Sequence, residues 1–219
     1  FWSSPQKEWN WPPVKEYDRD PYEIEERENS LFLTSPVSPK YQYRFTKEFR
    51  IDPEKETIII TYSIKNESDV EKQVAPWEIS RVPGDGIMFF EASESDITPA
   101  NGTLPFSFGE GMAWYVYDTA PQNRKINADG TGWMAYSNNG LLFIHQYEDL
   151  DKTQPAPDEA ELQIYVNMGK IELEGQGKYE TLKPGESLEW TVRWYLVSNP
   201  YPLLPSKELA ELARKVLNN

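Results

Sequence analysis

The chain has 219 residues, a length that fits one large β domain or two small ones. It carries 22 basic and 36 acidic residues, and the net charge of −14 argues against a nucleic-acid partner, because phosphate binding requires Lys and Arg. The same charge argues against an anionic membrane surface and allows a neutral or cationic partner. The absence of cysteine excludes disulfides, thiolate metal ligands and a Cys nucleophile.

Signals for targeting are not visible in the sequence. It has no run of about 18 apolar residues and no signal peptide, so neither membrane insertion nor a leader is predicted. The sequence opens at Phe1 without a Met, from which we expect a processed or trimmed chain. We expect the periplasm or the cell exterior rather than the cytosol, and the pattern predicts no oligomeric state.

The first 30 residues are rich in tryptophan and proline. Proline removes a backbone donor and disfavours strand pairing, so residues 1–30 are predicted to be an irregular segment. Residues 31–219 are predicted to form the β domain on which that segment packs. Trp9 and Trp11 are expected to contact this domain, because an exposed indole forgoes roughly 1.5–3 kcal/mol of burial free energy.

Beyond this segment, apolar and polar residues alternate with the period of a β-strand. The clearest runs cover residues 57–65, 160–168 and 187–197, and each has one apolar and one wetter face, as in antiparallel sheets. Turn signals separate the runs, and Asn139-Gly140 between two apolar segments predicts a tight hairpin. About ten strand candidates at this spacing predict an all-β sandwich or barrel.

One helix is predicted, over residues 206–217. Ser206 is a suitable N-cap, and Glu208 near the start and Arg214 near the end complement the helix dipole. An apolar stripe gives the helix a face with which to pack on the sheets. The predicted fold is therefore all-β with a single short C-terminal helix.

The segment Ile171–Gly177 is the most informative for chemistry. On a strand, Glu172 and Glu174 share one face, with Cα atoms about 6.5–7 Å apart. Two carboxylates this close disfavour joint ionisation, which raises one pKa and suits proton transfer. From the pattern alone, two solvated Glu residues on an exposed strand are the favoured alternative.

This segment and the turn after it resemble the C-terminal end of aldose 1-epimerases, the galactose mutarotases. The similar residues are Leu173–Gln176, the Pro-Gly-Glu turn at 184–186 and the strand that follows. In that family a Glu on such a strand is the general base that removes the proton of the anomeric hydroxyl. The resemblance implies that role for Glu174.

A second resemblance lies upstream, where residues 64–69 and 74–79 are similar to the mutarotase strand that leads to the catalytic His. That His protonates the ring oxygen in mutarotases. This chain has Trp77 and Glu78 there instead, so the usual general acid is missing. Glu172 or Glu78 is the candidate acid in an enzymatic version of the site.

The chain as a whole resembles an uncharacterised bacterial family of mutarotase-like proteins, through residues 9–13, 75–83 and 172–177. The resemblance implies an antiparallel β supersandwich with one broad concave groove, a carbohydrate ligand and no cofactor. The family's usual N-terminal strands are not recognisable here, which agrees with the expectation of a trimmed chain.

Five residues are candidates for binding the sugar: Trp11, Trp77, Arg81, Gln176 and His145. Arg81 alternatively forms a plain ion pair with Glu78, and His145, the only histidine, alternatively fills a structural role. The tryptophans considered for stacking on a sugar ring are Trp2, Trp9, Trp11, Trp77, Trp114 and Trp133, of which we expect one or two to line the groove.

No metal site is predicted, since neither the aspartates at 18 and 20 nor those at 149 and 151 match the spacing of a calcium loop. The function hypothesis is carbohydrate binding, with processing of the sugar by Glu174 as general base. The alternative is a non-catalytic carbohydrate-binding or structural module of a polysaccharide-utilisation system.

Overall fold

The computed structural model describes residues 1–218 and consists mainly of β-strands. In chain order the strands are β1 (Trp2–Ser4), β2 (Glu23–Arg27), β3 (Ser30–Thr34), β4 (Tyr43–Asp52), β5 (Thr57–Asn66), β6 (Lys72–Pro83), β7 (Ile87–Glu91), β8 (Ile97–Asn101), β9 (Ser107–Gly109), β10 (Met112–Val116), β11 (Arg124–Ala128), β12 (Trp133–Asn138), β13 (Leu141–Gln146), β14 (Leu162–Asn167), β15 (Lys170–Gln176), β16 (Glu180–Leu182) and β17 (Ser187–Ser198). The α-helices are α1 (Lys15–Asp18) and α2 (Lys207–Leu217), and 3-10 turns cover Gln6–Glu8 and Glu94–Asp96.

The strands form two antiparallel sheets. Sheet A has seven strands, in the order β1-β6-β15-β14-β11-β8 with β16 paired to β6. Sheet B has ten strands, in the order β2-β3-β4-β5-β17-β13-β12-β7-β10-β9. The prediction of an all-β, antiparallel two-sheet fold is confirmed.

The strongest sequence patterns correspond to strands within the sheets. The runs at 57–65, 160–168 and 187–197 form β5, β14 and β17, and each of these strands is paired on both sides. Residues Asn139 and Gly140 join β12 to β13 with φ of 49° and 74°, the backbone that a tight hairpin of this kind requires.

The core lies between the two sheets. Alternate residues of each sheet point inward, and the cluster includes Ile60 and Val192 of sheet B and Ile164 and Leu173 of sheet A, all fully buried. Removing apolar surface from water at roughly 25 cal/mol per Å² makes this layer the main source of stability.

Helix α2 covers the outer face of sheet B. Leu209 N donates to Ser206 Oγ at 3.2 Å, so the predicted cap is present. The apolar stripe of the helix packs with Trp114 and Trp133, which are both buried, so these two indoles belong to a structural cluster. Within residues 1–218 no helix is long and apolar enough to cross a membrane.

Residues 1–30 contain more regular structure than their proline content predicts. Strand β1 pairs with β6 in sheet A, with Trp2 opposite Trp77, and β2 forms an edge of sheet B. Trp9 is buried against Trp2 and Trp77, and its Nε1 donates to Ser3 O at 2.8 Å. Trp11 was also expected to pack on the domain, but 71% of it is exposed.

Glu78 and His145 lie on the inner side of the sandwich. Glu78 Oε2 is 3.2 Å from His145 Nδ1, and the imidazole stacks on Trp194 at a centroid distance of 5.4 Å. Burial raises the pKa of Glu78 to about 7 and lowers the pKa of His145 to about 3. Around neutral pH the imidazole is therefore uncharged, and the Glu78 carboxyl group is close to the midpoint of its titration.

Truncation of Trp9 should destabilise the protein far more than truncation of Trp11. Trp9→Ala removes a buried indole and should lower the free energy of unfolding by about 3–5 kcal/mol. Trp11→Ala, at an exposed position, should lower it by less than about 0.5 kcal/mol. Urea unfolding followed by circular dichroism measures both values. Equal losses for the two variants would contradict the described packing of the N-terminal segment.

Replacing Glu78 or His145 by Gln should change the pH dependence of stability in opposite directions. Between pH 4.5 and about 7 the folded protein keeps a proton on Glu78 that the unfolded chain releases, so this carboxyl's contribution to stability falls as the pH rises. Between pH 6.5 and about 3 the unfolded chain protonates His145 and the folded protein does not, so the imidazole's contribution falls as the pH falls.

Urea unfolding at about pH 5 and about pH 7.5 checks both signs. The free energy of unfolding of E78Q, taken relative to that of the wild type, should rise by on the order of 2–3 kcal/mol from the lower to the higher pH. One pKa unit corresponds to about 1.4 kcal/mol. H145Q should change in the opposite direction over the same interval. The same pH dependence in all three proteins would mean that this pair is not buried as described.

Candidate functional site

Four neighbouring strands of sheet A carry polar side chains on the face that points away from sheet B. The register places Arg81 of β6 opposite Glu172 of β15, Glu172 opposite Tyr165 of β14, and Tyr165 opposite Lys125 of β11. Because successive side chains of a strand point to opposite faces, the intervening Leu173 is buried in the core. The four polar side chains form a row across the sheet.

A cavity of about 530 Å³ lies over this row. Sheet A forms its floor, and the N-terminal segment forms a wall that includes Trp2, Gln6 and Trp11. Its charged lining consists of Arg81, Lys125, Lys170, Glu172 and Glu174. The cavity therefore combines indole surface with charged hydrogen-bonding groups, a more polar lining than most small-molecule sites have.

Glu174 is the most buried of these charged residues, with 2% of it exposed. Its Oε2 accepts hydrogen bonds from Trp77 Nε1 at 3.1 Å and from Lys125 Nζ at 2.9 Å. Lys125 Nζ also lies 4.6 Å from the centre of the Trp77 ring. Burial raises the pKa of Glu174, and the Lys125 ammonium group opposes part of that rise.

The second oxygen of this carboxylate is free. Glu174 Oε1 has no hydrogen-bond partner among residues 1–218, and it is not among the oxygen atoms sealed from solvent. A bound hydroxyl group can donate to it directly. The site therefore presents an acceptor whose orientation is already set by Trp77 and Lys125.

Glu172 lies on the same face of β15, two residues before Glu174. Its Oε1 accepts from Arg81 Nε at 2.7 Å and from Lys170 Nζ at 2.5 Å. The side chain of Arg81 is 55% exposed, whereas that of Glu172 is 9% exposed. Arg81 therefore pairs with Glu172 and not with Glu78, the ion-pair partner that sequence spacing suggested.

Gln176 follows Glu174 on this face but does not line the cavity. Its Nε2 donates to Glu159 Oε2 at 3.3 Å and to Gln163 Oε1 at 3.2 Å. Gln6 N donates to Glu159 Oε1 at 2.9 Å, so the N-terminal turn and the segment carrying Glu159 close over Gln176. Gln176 is fully buried and helps to attach these segments to the sheet.

Two further candidates from the sequence lie outside the cavity. Glu78 and His145 point into the space between the sheets, on the opposite side of sheet A from Glu174. Glu78 directly follows Trp77 on β6, and neighbours on a strand face opposite sides, so only one of the two can reach the cavity. Neither Glu78 as acid nor His145 as sugar ligand is brought next to Glu174.

The structure divides the tryptophans that sequence analysis considered for stacking. Trp2, Trp11 and Trp77 line the cavity. The Trp2 ring packs edge-on against both others, with centroid distances of 5.3 Å to Trp77 and 6.4 Å to Trp11, so the three indoles are contiguous. Trp11 is the exposed member of the three.

The cavity is also lined by six residues that the sequence did not predict: Lys125, Lys170, Tyr165, Asn123, Asn167 and Gln6. Lys125 and Tyr165 each alternate with a buried Ile on their own strand, and that alternation indicates that both side chains lie on the outer face of the sheet. Which strands lie beside β15, however, follows from tertiary topology and not from any local pattern.

Three of the four aspartates considered for calcium have protein partners. Asp18 Oδ1 accepts from Trp2 Nε1 at 3.0 Å, Asp20 Oδ2 accepts from Lys15 Nζ at 3.2 Å, and Asp151 Oδ1 accepts from Thr153 N at 3.1 Å. Among residues 1–218 no group of three or more acidic or His side chains is arranged to hold a metal ion.

Comparison with known proteins identifies the fold. No protein-family model and no curated protein matches the chain. A galactose mutarotase-like protein from Lactobacillus casei is similar at a TM-score of 0.52 and 10% identity, over 80% of this chain and 73% of that one. A candidate aldose 1-epimerase from Klebsiella pneumoniae is similar at a TM-score of 0.54 and 14% identity, over 89% of this chain and 56% of that one.

A third structure, a TPR-domain containing protein from Parabacteroides distasonis, is similar at a TM-score of 0.58 and 10% identity, over 84% of this chain and 36% of that one. The chain thus spans little more than half of the Klebsiella structure and about a third of the Parabacteroides structure. At these identities the similarity concerns the fold alone. The chain has the antiparallel supersandwich fold of galactose mutarotase-like and aldose 1-epimerase-like proteins, as its sequence resemblance predicted.

Proposed function

We propose that the protein binds a saccharide in the cavity on the outer face of sheet A. The observation that carries the proposal is the free Oε1 of Glu174, an acceptor that is held in place by the two partners of Oε2 on a residue that lines the cavity. A sugar hydroxyl that donates to this oxygen makes a charge-assisted hydrogen bond, which is about twice as strong as a neutral one.

The rest of the cavity suits the two surfaces of a sugar ring. Arg81 and Lys125 are donors for hydroxyl oxygens, and Glu172 and Glu174 are acceptors for hydroxyl protons. The indole of Trp11 offers an apolar face for the C–H side of the ring. The similarity in fold to a galactose mutarotase-like protein and to a candidate aldose 1-epimerase supports the same class of ligand.

Mutarotation of the bound sugar is a second candidate activity, favoured by the 2.9 Å contact between Lys125 Nζ and Glu174 Oε2. In this reaction Glu174 Oε1 accepts the proton of the anomeric hydroxyl while the Lys125 ammonium donates a proton to the ring oxygen. The ring C–O bond breaks, the aldehyde group rotates, and closure returns both protons. Lys125 then serves in place of the His that mutarotases use.

Glu174→Gln separates binding from catalysis. The amide keeps the shape of the side chain and one oxygen acceptor but removes the basic group. An enzyme should lose about 10²-fold or more in mutarotation rate, the usual scale for a lost acid–base group. A pure binding protein should show no mutarotation in the wild type and only a modest loss of affinity in the variant. Polarimetry measures the rate, and titration calorimetry measures the affinity.

Glu189→Gln is the matched control, because Glu189 is an exposed residue of β17 in sheet B. It should bind and turn over saccharides like the wild type. Mutarotation that survives unchanged in Glu174→Gln would exclude Glu174 as the base. The absence of saccharide binding across neutral and charged sugars would contradict the proposed function itself.

A further inference from the structure

The charge of the cavity is opposite to that of the whole chain. The protein carries 22 basic and 36 acidic residues, yet the cavity is lined by three cationic residues and two carboxylates. At physiological ionic strength the Debye length is about 8 Å, so a ligand inside the cavity responds mainly to these five groups. The cavity therefore favours a negatively charged ligand.

The excess positive charge is concentrated beside Glu172. Both Arg81 Nε and Lys170 Nζ donate to the same carboxylate oxygen, so two cations share one anion. At the other end of the cavity Lys125 and Glu174 neutralise each other at 2.9 Å. The unmatched charge thus belongs to the Arg81–Lys170 pair.

The end of the Arg81 side chain is available to a ligand. Only Nε of this guanidinium donates to the protein, and its Nη1 and Nη2 atoms make no hydrogen bond to any residue within 1–218. A guanidinium presents its N–H groups as a planar fork that matches the two oxygens of a carboxylate or of a phosphate group. A neutral hydroxyl group uses only part of that fork.

Arg81 lies at a useful distance from the proposed sugar site. On β6 it is two residues beyond Ile79, which pairs with Glu174, so the two sites are about 7 Å apart along the strand. A sugar ring that donates a hydroxyl to Glu174 Oε1 can therefore direct a substituent from its far side toward Arg81 and Lys170.

From this geometry we infer that the saccharide is anionic and carries a carboxylate or phosphate group that binds between Arg81 and Lys170. The inference rests on the proposed function, since it names the class of sugar that the same cavity takes. A uronic acid and a sugar phosphate share the required chemistry, and the experiment distinguishes them.

Titration calorimetry compares each neutral sugar with its charged derivative. The panel consists of glucose, glucuronate and glucose 6-phosphate, then galactose and galacturonate, with acetate and inorganic phosphate as simple anions. A charged derivative should bind the wild type at least tenfold more tightly than its neutral parent. Whichever of glucuronate and glucose 6-phosphate shows the larger gain in affinity over glucose identifies the anionic group as a carboxylate or a phosphate.

Arg81→Gln should weaken binding of the charged derivative about tenfold more than binding of the neutral parent, because only the anionic group uses the whole guanidinium fork. Arg81→Lys keeps the positive charge but lacks the planar fork, so its preference for the charged derivative should lie between those of the wild type and Arg81→Gln. The matched control is Arg50→Gln, which makes the same charge change on β4 of sheet B and should bind like the wild type. Circular dichroism of each variant verifies that it is folded.

The outcomes distinguish the inference from the function on which it rests. Neutral sugars that bind as tightly as charged ones would overturn the inference and leave saccharide binding intact. Acetate or phosphate that binds as tightly as the sugar derivatives would mean an adventitious anion site only, which also overturns it. Failure of every saccharide to bind would contradict the proposed function together with the inference.

Discussion

The register of β15 between β6 and β14 is the constraint on which the cavity depends. It places Glu172 and Glu174 on the outer face of sheet A and Ile171 and Leu173 in the core. A shift by one residue would exchange the two sets, because side chains alternate across a strand. Burial of two carboxylates in the core would then oppose the fold, so the hydrophobic layer that stabilises the sandwich also fixes which residues reach the cavity.

Two glutamates of sheet A show how a single sheet supports different electrostatic roles. Glu174 is nearly inaccessible, but an ammonium group and an indole N–H compensate its charge, and one oxygen stays open. Glu78 is equally buried on the other face without a cation at hydrogen-bond distance, and burial raises its pKa to about 7. Burial therefore raises the pKa of both carboxyl groups, and at Glu174 the neighbouring ammonium group opposes part of that rise and orients the carboxylate as an acceptor.

The sequence predicted the elements governed by local pattern and missed those governed by tertiary placement. Strict alternation located β5, β14 and β17, and the capping residue located α2. Glu174 was selected as a candidate because its motif resembles that of a known family. Glu78 was misplaced because its neighbour Trp77 faces the cavity, and Lys125 was missed because it joins the site from a strand far away in sequence. The net charge allowed a neutral or cationic partner and decided nothing more, because a sum over the whole chain does not reveal the local charge of one cavity.

The most direct test of the account is whether a saccharide occupies the space between Glu174 and Trp11. The eight tryptophan indole N–H groups give a small set of nuclear magnetic resonance signals that can be followed during a saccharide titration. The Trp77 signal, whose N–H donates to Glu174, and the Trp11 signal should shift together with one dissociation constant. The signals of Trp114 and Trp133, packed in the cluster beneath α2, should stay in place. A saccharide that binds while the Trp77 and Trp11 signals remain unchanged would contradict the assignment of this cavity as the binding site.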